Sequence, residues 1–248
     1  MRRSLTFLLI IWGLPRFLSA QTLAQRVGAV AEGSVRLSFA ARAGVCGHGS
    51  DGVSIGQDSN EWTADCGPRL VRVALGIRNH QVQSVRTYVG GQWLPDRSST
   101  DLGMVRPQVA AEYFIGLAER TTSIAGDPLL ASALADSVTI WPSLLRVARS
   151  PRVSQATRGR AVFWLGQAAG AAAGNALDSI AHDDRGDREV RKQAIFALSQ
   201  RSHDEGVPAL IRIARASPDA ELRKTALFWL GQTEDPRALA LFEEILRQ

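Results

Sequence analysis

Lysine is nearly missing from this sequence. Of 29 basic residues only Lys192 and Lys224 are lysine; the rest are arginine. The formal net charge is +5, and three of those charges, Arg2, Arg3 and Arg16, fall in a segment that reads as a leader. Without them the remainder is close to balanced, which gives no support for a basic nucleic-acid patch. The arginine bias, with abundant Ala and Gly, fits a GC-rich genome better than phosphate binding. Cysteine is scarce as well: two in 248 residues. Long hydrophobic runs are absent. The longest, Leu5 to Leu14, falls well short of the roughly 20 residues a spanning helix needs, so no transmembrane segment is expected in the mature chain. At 45% hydrophobic and 21% charged, the chain is not disordered overall.

What is present begins with a secretory signal at residues 1–20. Arg2 and Arg3 supply its charge, Leu5 to Leu14 its apolar stretch, and Pro15 the break. Cleavage is expected after Ala20 or, alternatively, after Ala24. The expected location is therefore the periplasm or the exterior. In such a compartment two cysteines favour a disulfide between Cys46 and Cys66. The rival is zinc held by Cys46, His48, Cys66 and His80, whose spacing fits no recognised zinc pattern.

Residues 21–104 form a small β-containing region. Leu23 to Glu32 suits a short helix. Val35, Leu37 and Phe39 alternate with polar neighbours, as do Val71, Val73, Leu75 and Ile77, and then Val85, Thr87 and Val89. The last two runs flank the polar stretch "RNHQ" and read as a β-hairpin. One face of it needs a cover, either the first strand or the helices that follow. His48, Ser50 and Asp51 crowd into "CGHGSDG", but sequence neighbours in a Gly-rich loop rarely converge as a catalytic triad, and those residues are what a turn requires. His80 falls in the hairpin turn and is expected to be solvated.

Residues 105–248 carry an internal repeat. "AVFWLGQ" from Ala161, "AIFALSQ" from Ala194 and "ALFWLGQ" from Ala226 stand 33 and 32 residues apart. "AEYFIGL" from Ala111 reads as an earlier copy, with an insertion near Thr121 to Asp136. A second helix follows each copy: "WPSLLRVAR" from Trp141, "NALDSIA", "VPALIRIAR" from Val207 and "LALFEEIL" from Leu239. Ala161 and Leu165, like Ala194 and Leu198, or Ala226 and Leu230, fall on one helix face. Pro142, Pro208 and Pro236 suit helix starts; Asp187 and Asp219 suit N-caps; Gly166 and Gly231 suit terminators. These motifs resemble the short bacterial HEAT repeat. The resemblance implies an α-solenoid serving as a scaffold or protein-binding surface, and implies no activity.

The expected architecture is thus mostly α: a short solenoid of HEAT-like hairpins preceded by a small β-containing region. The expected function is an exported, non-catalytic interaction module with a protein partner in the cell envelope, without cofactor, metal or catalytic residues. The alternative is an enzyme or accessory factor with a small-molecule or metal site where the N-terminal region meets the first repeat. Two residue series are candidate surfaces. Tyr113, Phe163, Phe196 and Phe228 take equivalent positions pointing away from the core, either as a partner-binding stripe or as packing between successive helices. Arg158, Arg191 and Arg223 are in register and are expected to bond carbonyls or acids and set the stacking. Trp164 and Trp229 are expected in the core. "HDDRGDRE" from His182 reads as a capped turn rather than a metal site.

Overall fold

A computed structural model describes residues 21–49, 62–63, 67, 69–121, 123–168 and 170–247. Residues 1–20, Cys66, Ser50 and Asp51 lie outside these, and with them the expectations on the signal, the disulfide, the zinc set and the "CGHGSDG" loop.

Helix α1 (Leu23–Gly28) opens the described chain, capped by Thr22, whose hydroxyl accepts from Gln25 N–H while the Gln25 side chain returns to Thr22 N–H. Strands follow at β1 (Glu32–Ala40), β2 (Gly47–Gly49), β3 (Trp62–Thr63), β4 (Leu70–Arg78), β5 (Gln81–Val89), β6 (Gln92–Trp93) and β7 (Ser99–Met104). The main sheet has the order β2-β5-β4-β1-β7, antiparallel except for the β1–β7 pair. The expected hairpin is β4–β5, turning at Asn79 and His80. The first strand does not cover it but pairs beside β4 in the same sheet.

The cover comes from the helices. Val35, Leu37, Phe39, Val71, Val73 and Leu75 are fully buried and belong to one continuous core that also holds Phe114, Leu129 and Leu130. Phe39 meets Phe114 with ring centroids 6.2 Å apart. On the opposite face Trp62 is buried and stacked on Tyr88, with centroids 5.4 Å apart, and its indole N–H donates to the Gly90 carbonyl at 2.9 Å.

The helices are α2 (Pro107–Arg120), α3 (Pro128–Ala133), α4 (Trp141–Arg149), α5 (Gln155–Gly166), α6 (Ala171–Ala181), α7 (Arg188–Ser199), α8 (His203–Ala216), α9 (Ala220–Leu230) and α10 (Pro236–Leu246). They form two layers. Helices α2, α4, α6, α8 and α10 neighbour one another in chain order, and α3, α5, α7 and α9 do likewise opposite them. The helix at Ala111 therefore does not belong with those at Ala161, Ala194 and Ala226. It sits in the other layer, and α3, inside the expected insertion, takes the place before α5. The reason is that this insertion is a structural joint. Arg42 N–H donates to the Leu134 carbonyl at 2.9 Å and Val85 N–H to the Ala125 carbonyl at 2.8 Å, stitching the segment to β1 and β5. Gly126, at φ 89°, fits against the Val85 carbonyl where a Cβ would stand 2.0 Å away.

Local signals explain most boundaries. Ser154, Asp187, Asp219 and Asp235 cap their helices through side-chain oxygens, and Pro236 begins α10. Pro208 departs from expectation by lying inside α8, which begins five residues earlier. Asp204 and Glu205 in its first turn favour that earlier start through the helix dipole. Gly231 ends α9 with an ordinary helical φ of −67°, and Gly166 matters for packing: a Cβ there would stand 3.0 Å from Ala197 Cβ.

Candidate interaction surface

The α5–α7–α9 layer buries one face and exposes the other. Ala161, Leu165, Ala194, Leu198, Ala226 and Leu230 are all buried, and the small alanines let helices approach closely. On the outer face Phe163, Phe196 and Phe228 are 46%, 42% and 59% exposed, so each ring keeps about half its area in water. Between α5 and α7 runs an open groove of about 710 Å³, with Phe163 and Phe196 on its lining. Its deeper lining is made of small residues, Gly159, Gly166 and Ala197, and its outer lining carries Ala156, Gln167, Gln193, Gln200 and Arg160. The Gln193 side chain lies over Gly159, its oxygen 2.2 Å from where a Cβ would stand, so a larger residue there would push the glutamine aside.

Both readings of the aromatic series find a part in this geometry. Phe196 packs on Trp229 of the next repeat, centroids 5.0 Å apart, as a contact between successive helices. Phe163 and Phe228 touch only their own neighbours, Trp164 and Trp229, among the ring contacts of the described residues. Tyr113 is not part of the series. It lies on α2 in the other layer and lines a separate cavity beside α1 and β5. Trp164 is buried and Trp229 half-buried.

The arginine series acts inside the repeat turns. Each arginine sits four residues after its N-cap and reaches back to a backbone carbonyl, at the end of the preceding helix for Arg191 and Arg223 and in the connecting turn for Arg158. Arg158 donates to Val153 O at 2.7 Å, Arg191 to Ala181 O at 3.0 Å, and Arg223 to Ser217 O at 2.7 Å. Arg158 also meets Asp187 of the next repeat at 3.2 Å. Within "HDDRGDRE", Asp184 pairs with Arg191 and Asp187 caps α7. Among the described residues no group of three His, Cys, Asp or Glu side chains is placed to hold a metal. His80 is exposed but not merely solvated, because its ring Nδ1–H donates to the Gly28 carbonyl at 2.9 Å.

Two arrangements escaped sequence reasoning. The first is Asp127, 3% exposed. It caps α3 by accepting from Leu129 N–H and also accepts the Trp164 indole N–H, both at 2.9 Å. Burial raises its carboxyl above the ordinary range, and the Trp164 bond, nearby Arg160 and the Leu129 and Leu130 amides pull it part of the way back. The available signal was Asp-Pro, an N-cap followed by a first-turn proline. The second lies in "RVAR" and "RIAR". Arg146 reaches Glu119 on α2 at 2.9 Å and Arg212 reaches Asp178 on α6 at 3.1 Å, both on the preceding helix of the layer. Arg149 reaches forward to Ser179 O on α6 at 3.2 Å, and Arg215 forward to Glu244 on α10.

No helix among the described residues is long and apolar enough to cross a membrane. No curated protein matches the chain. Residues 177–248, from α6 through α10, match the family model of HEAT repeats, which supports reading the chain as a HEAT-repeat protein.

Proposed function

We propose that this chain is an exported, non-catalytic interaction module, a short α-solenoid that takes a protein partner along the outer face of α5, α7 and α9. HEAT repeats commonly serve protein interaction, and the observation that carries the reading here is the groove between α5 and α7. Aromatic side chains beside a well-shaped, small-residue floor are the usual anchors of an interface. Glutamine amides on the rim can both donate to and accept from a partner backbone. The partner belongs in the periplasm or at the cell surface, following the leader-like residues 1–20.

Cross-linking in intact cells, followed by pull-down of the tagged full chain and mass spectrometry, tests the reading. The expected result is one enriched envelope protein that is lost when Phe163, Phe196 and Phe228 are changed together to Ser in a variant with an unchanged circular dichroism spectrum. Retention of that protein by the triple variant, or no protein above background, overturns it. The same material tests export. Its N-terminus should be Gln21 or Gln25, and an intact Met1 in the exported fraction contradicts the assignment.

A further inference from the structure

The cavity beside α1, β5 and α2 lies apart from the α5–α7 groove and has a different chemistry. Its volume is about 490 Å³, within the range of small-molecule sites. Val27, Val82 and Leu117 bring apolar walls from three elements. Tyr113 and Arg120 contribute a hydroxyl and a guanidinium from one helix, and among the described residues no Asp or Glu lines the space. Among the described residues Arg120 forms no ion pair with a carboxylate, and its guanidinium lies back over Gly116, whose missing Cβ would stand 2.9 Å from Nη1. Burial pushes the Tyr113 hydroxyl up to about 12, so it remains a donor across the physiological range.

The rim is built with unusual backbone. The β4–β5 turn holds two non-glycine residues at positive φ, Asn79 at 51° and His80 at 59°. It is held there by His80 N–H on the Ala31 carbonyl at 3.0 Å and by the ring bond to Gly28. A bulge follows. Ile77 opposes Val82 while Gly76 opposes Ser84, so Gln83 has no partner on β4. Its carbonyl instead accepts from Ala125 N–H at 3.0 Å. Bulges of this kind re-aim side chains near sites.

We propose that this cavity binds a small organic monocarboxylate, with the carboxylate on Arg120 and Tyr113 and the hydrocarbon body against Val27, Val82 and Leu117. The solvent-exposed Arg120 guanidinium is free to fork onto one planar anion, and Val27, Val82 and Leu117 give an apolar body a wall to lie against. The site does not depend on the partner-binding face, and its test needs no partner.

Phenylpropionate and hexanoate, titrated calorimetrically into the mature protein beside phenylpropanol and hexanol, make the test. Saturable binding of a carboxylate is expected, with the matching alcohol weaker by about tenfold or more. Arg120→Gln should weaken the carboxylate by about tenfold or more, and Tyr113→Phe by less. Gly116→Ala separates site from fold: it should hold or raise thermal stability, since alanine favours helix, while lowering affinity by displacing the guanidinium. Equal affinity for acid and alcohol, unchanged affinity in Arg120→Gln, or no saturation by either carboxylate overturns the proposal.

Discussion

Replacing Asp127 tests the joint between the sheet and the helical layers. Its carboxylate caps α3 and accepts the buried Trp164 indole N–H. In Asp127→Ala the cap is lost, at about 1 kcal/mol, and the indole N–H is left without an acceptor, at about 1–3 kcal/mol. Removing a desolvated charge offsets part of this, so the net loss should be about 2–3 kcal/mol. For a chain of this size each kcal/mol lowers Tm by about 2–4 °C, so thermal denaturation followed by circular dichroism should show a fall of about 4–12 °C. Asparagine keeps an amide oxygen for the acceptor roles and carries no charge, so Asp127→Asn should stay within about 1 kcal/mol of the parent. The pH dependence has a fixed sign. Because folding raises this carboxyl, the folded state binds its proton more tightly. The contribution is greatest at acid pH and declines as pH rises through the raised value, so the asparagine variant should gain on the parent from acid to neutral pH. Asp127→Ala should also cost about 1 kcal/mol less in a Trp164→Phe background, where there is no indole to strand. An alanine variant within about 0.5 kcal/mol of the parent, or an asparagine variant as unstable as alanine, would refute the reasoning.

Asp235 has the opposite sign. Its bonds to Arg237 lower the carboxyl to about 2, so its stabilisation of α10 is complete above the ordinary carboxylate range, about 4, and is lost as pH falls towards 2. Amide protection factors in α10, taken relative to the intrinsic exchange rate at each pH, should fall as pH drops across that window and hold steady above it. Leu198 is 1% exposed between helices, so Leu198→Ala should lose about 2–5 kcal/mol in urea denaturation, and a loss near zero would contradict the packing register. If Cys46 and Cys66 are joined, as an oxidising compartment would favour, the intact mass should rise by about two hydrogens on reduction; an unchanged mass removes that assignment.

The parts of the fold that could be read from sequence are those set by local periodicity. The alternating runs of β1, β4 and β5 and the Ala/Leu faces of α5, α7 and α9 are each specified by neighbours in sequence and appear where expected. The misreadings arise where a distant partner decides. Ala111 begins a segment that resembles the other first helices, yet α2 sits in the opposite layer because Ala125, Leu134 and Asp136 tie the following segment to β5 and to the end of β1. Tyr113 leaves the aromatic series for the same reason. Pro208 looks like a helix start, but α8 already has an acidic first turn ahead of it, with Asp204 and Glu205. The aromatic series itself was visible as a repeat, whereas the groove was not. The groove depends on Gly159 and Gly166 meeting Gln193 and Ala197 across two helices, and no spacing within either helix announces that. The cavity beside α1, β5 and α2 was not legible in sequence, since its lining comes from elements distant along the chain.

The arginine pairs of the even-numbered helices amount to a parity rule. Helices α4 and α8 supply the guanidiniums, while α2, α6 and α10 supply only acceptors to them. Givers and takers therefore alternate, with a true period of two hairpins. Each exposed pair contributes at most about 1 kcal/mol, too little to hold the stack together, so its weight falls on order rather than strength. Deleting or duplicating one hairpin would set two giving helices side by side, or two taking ones, and leave like charges facing. A lineage of such chains should grow and shrink by even steps.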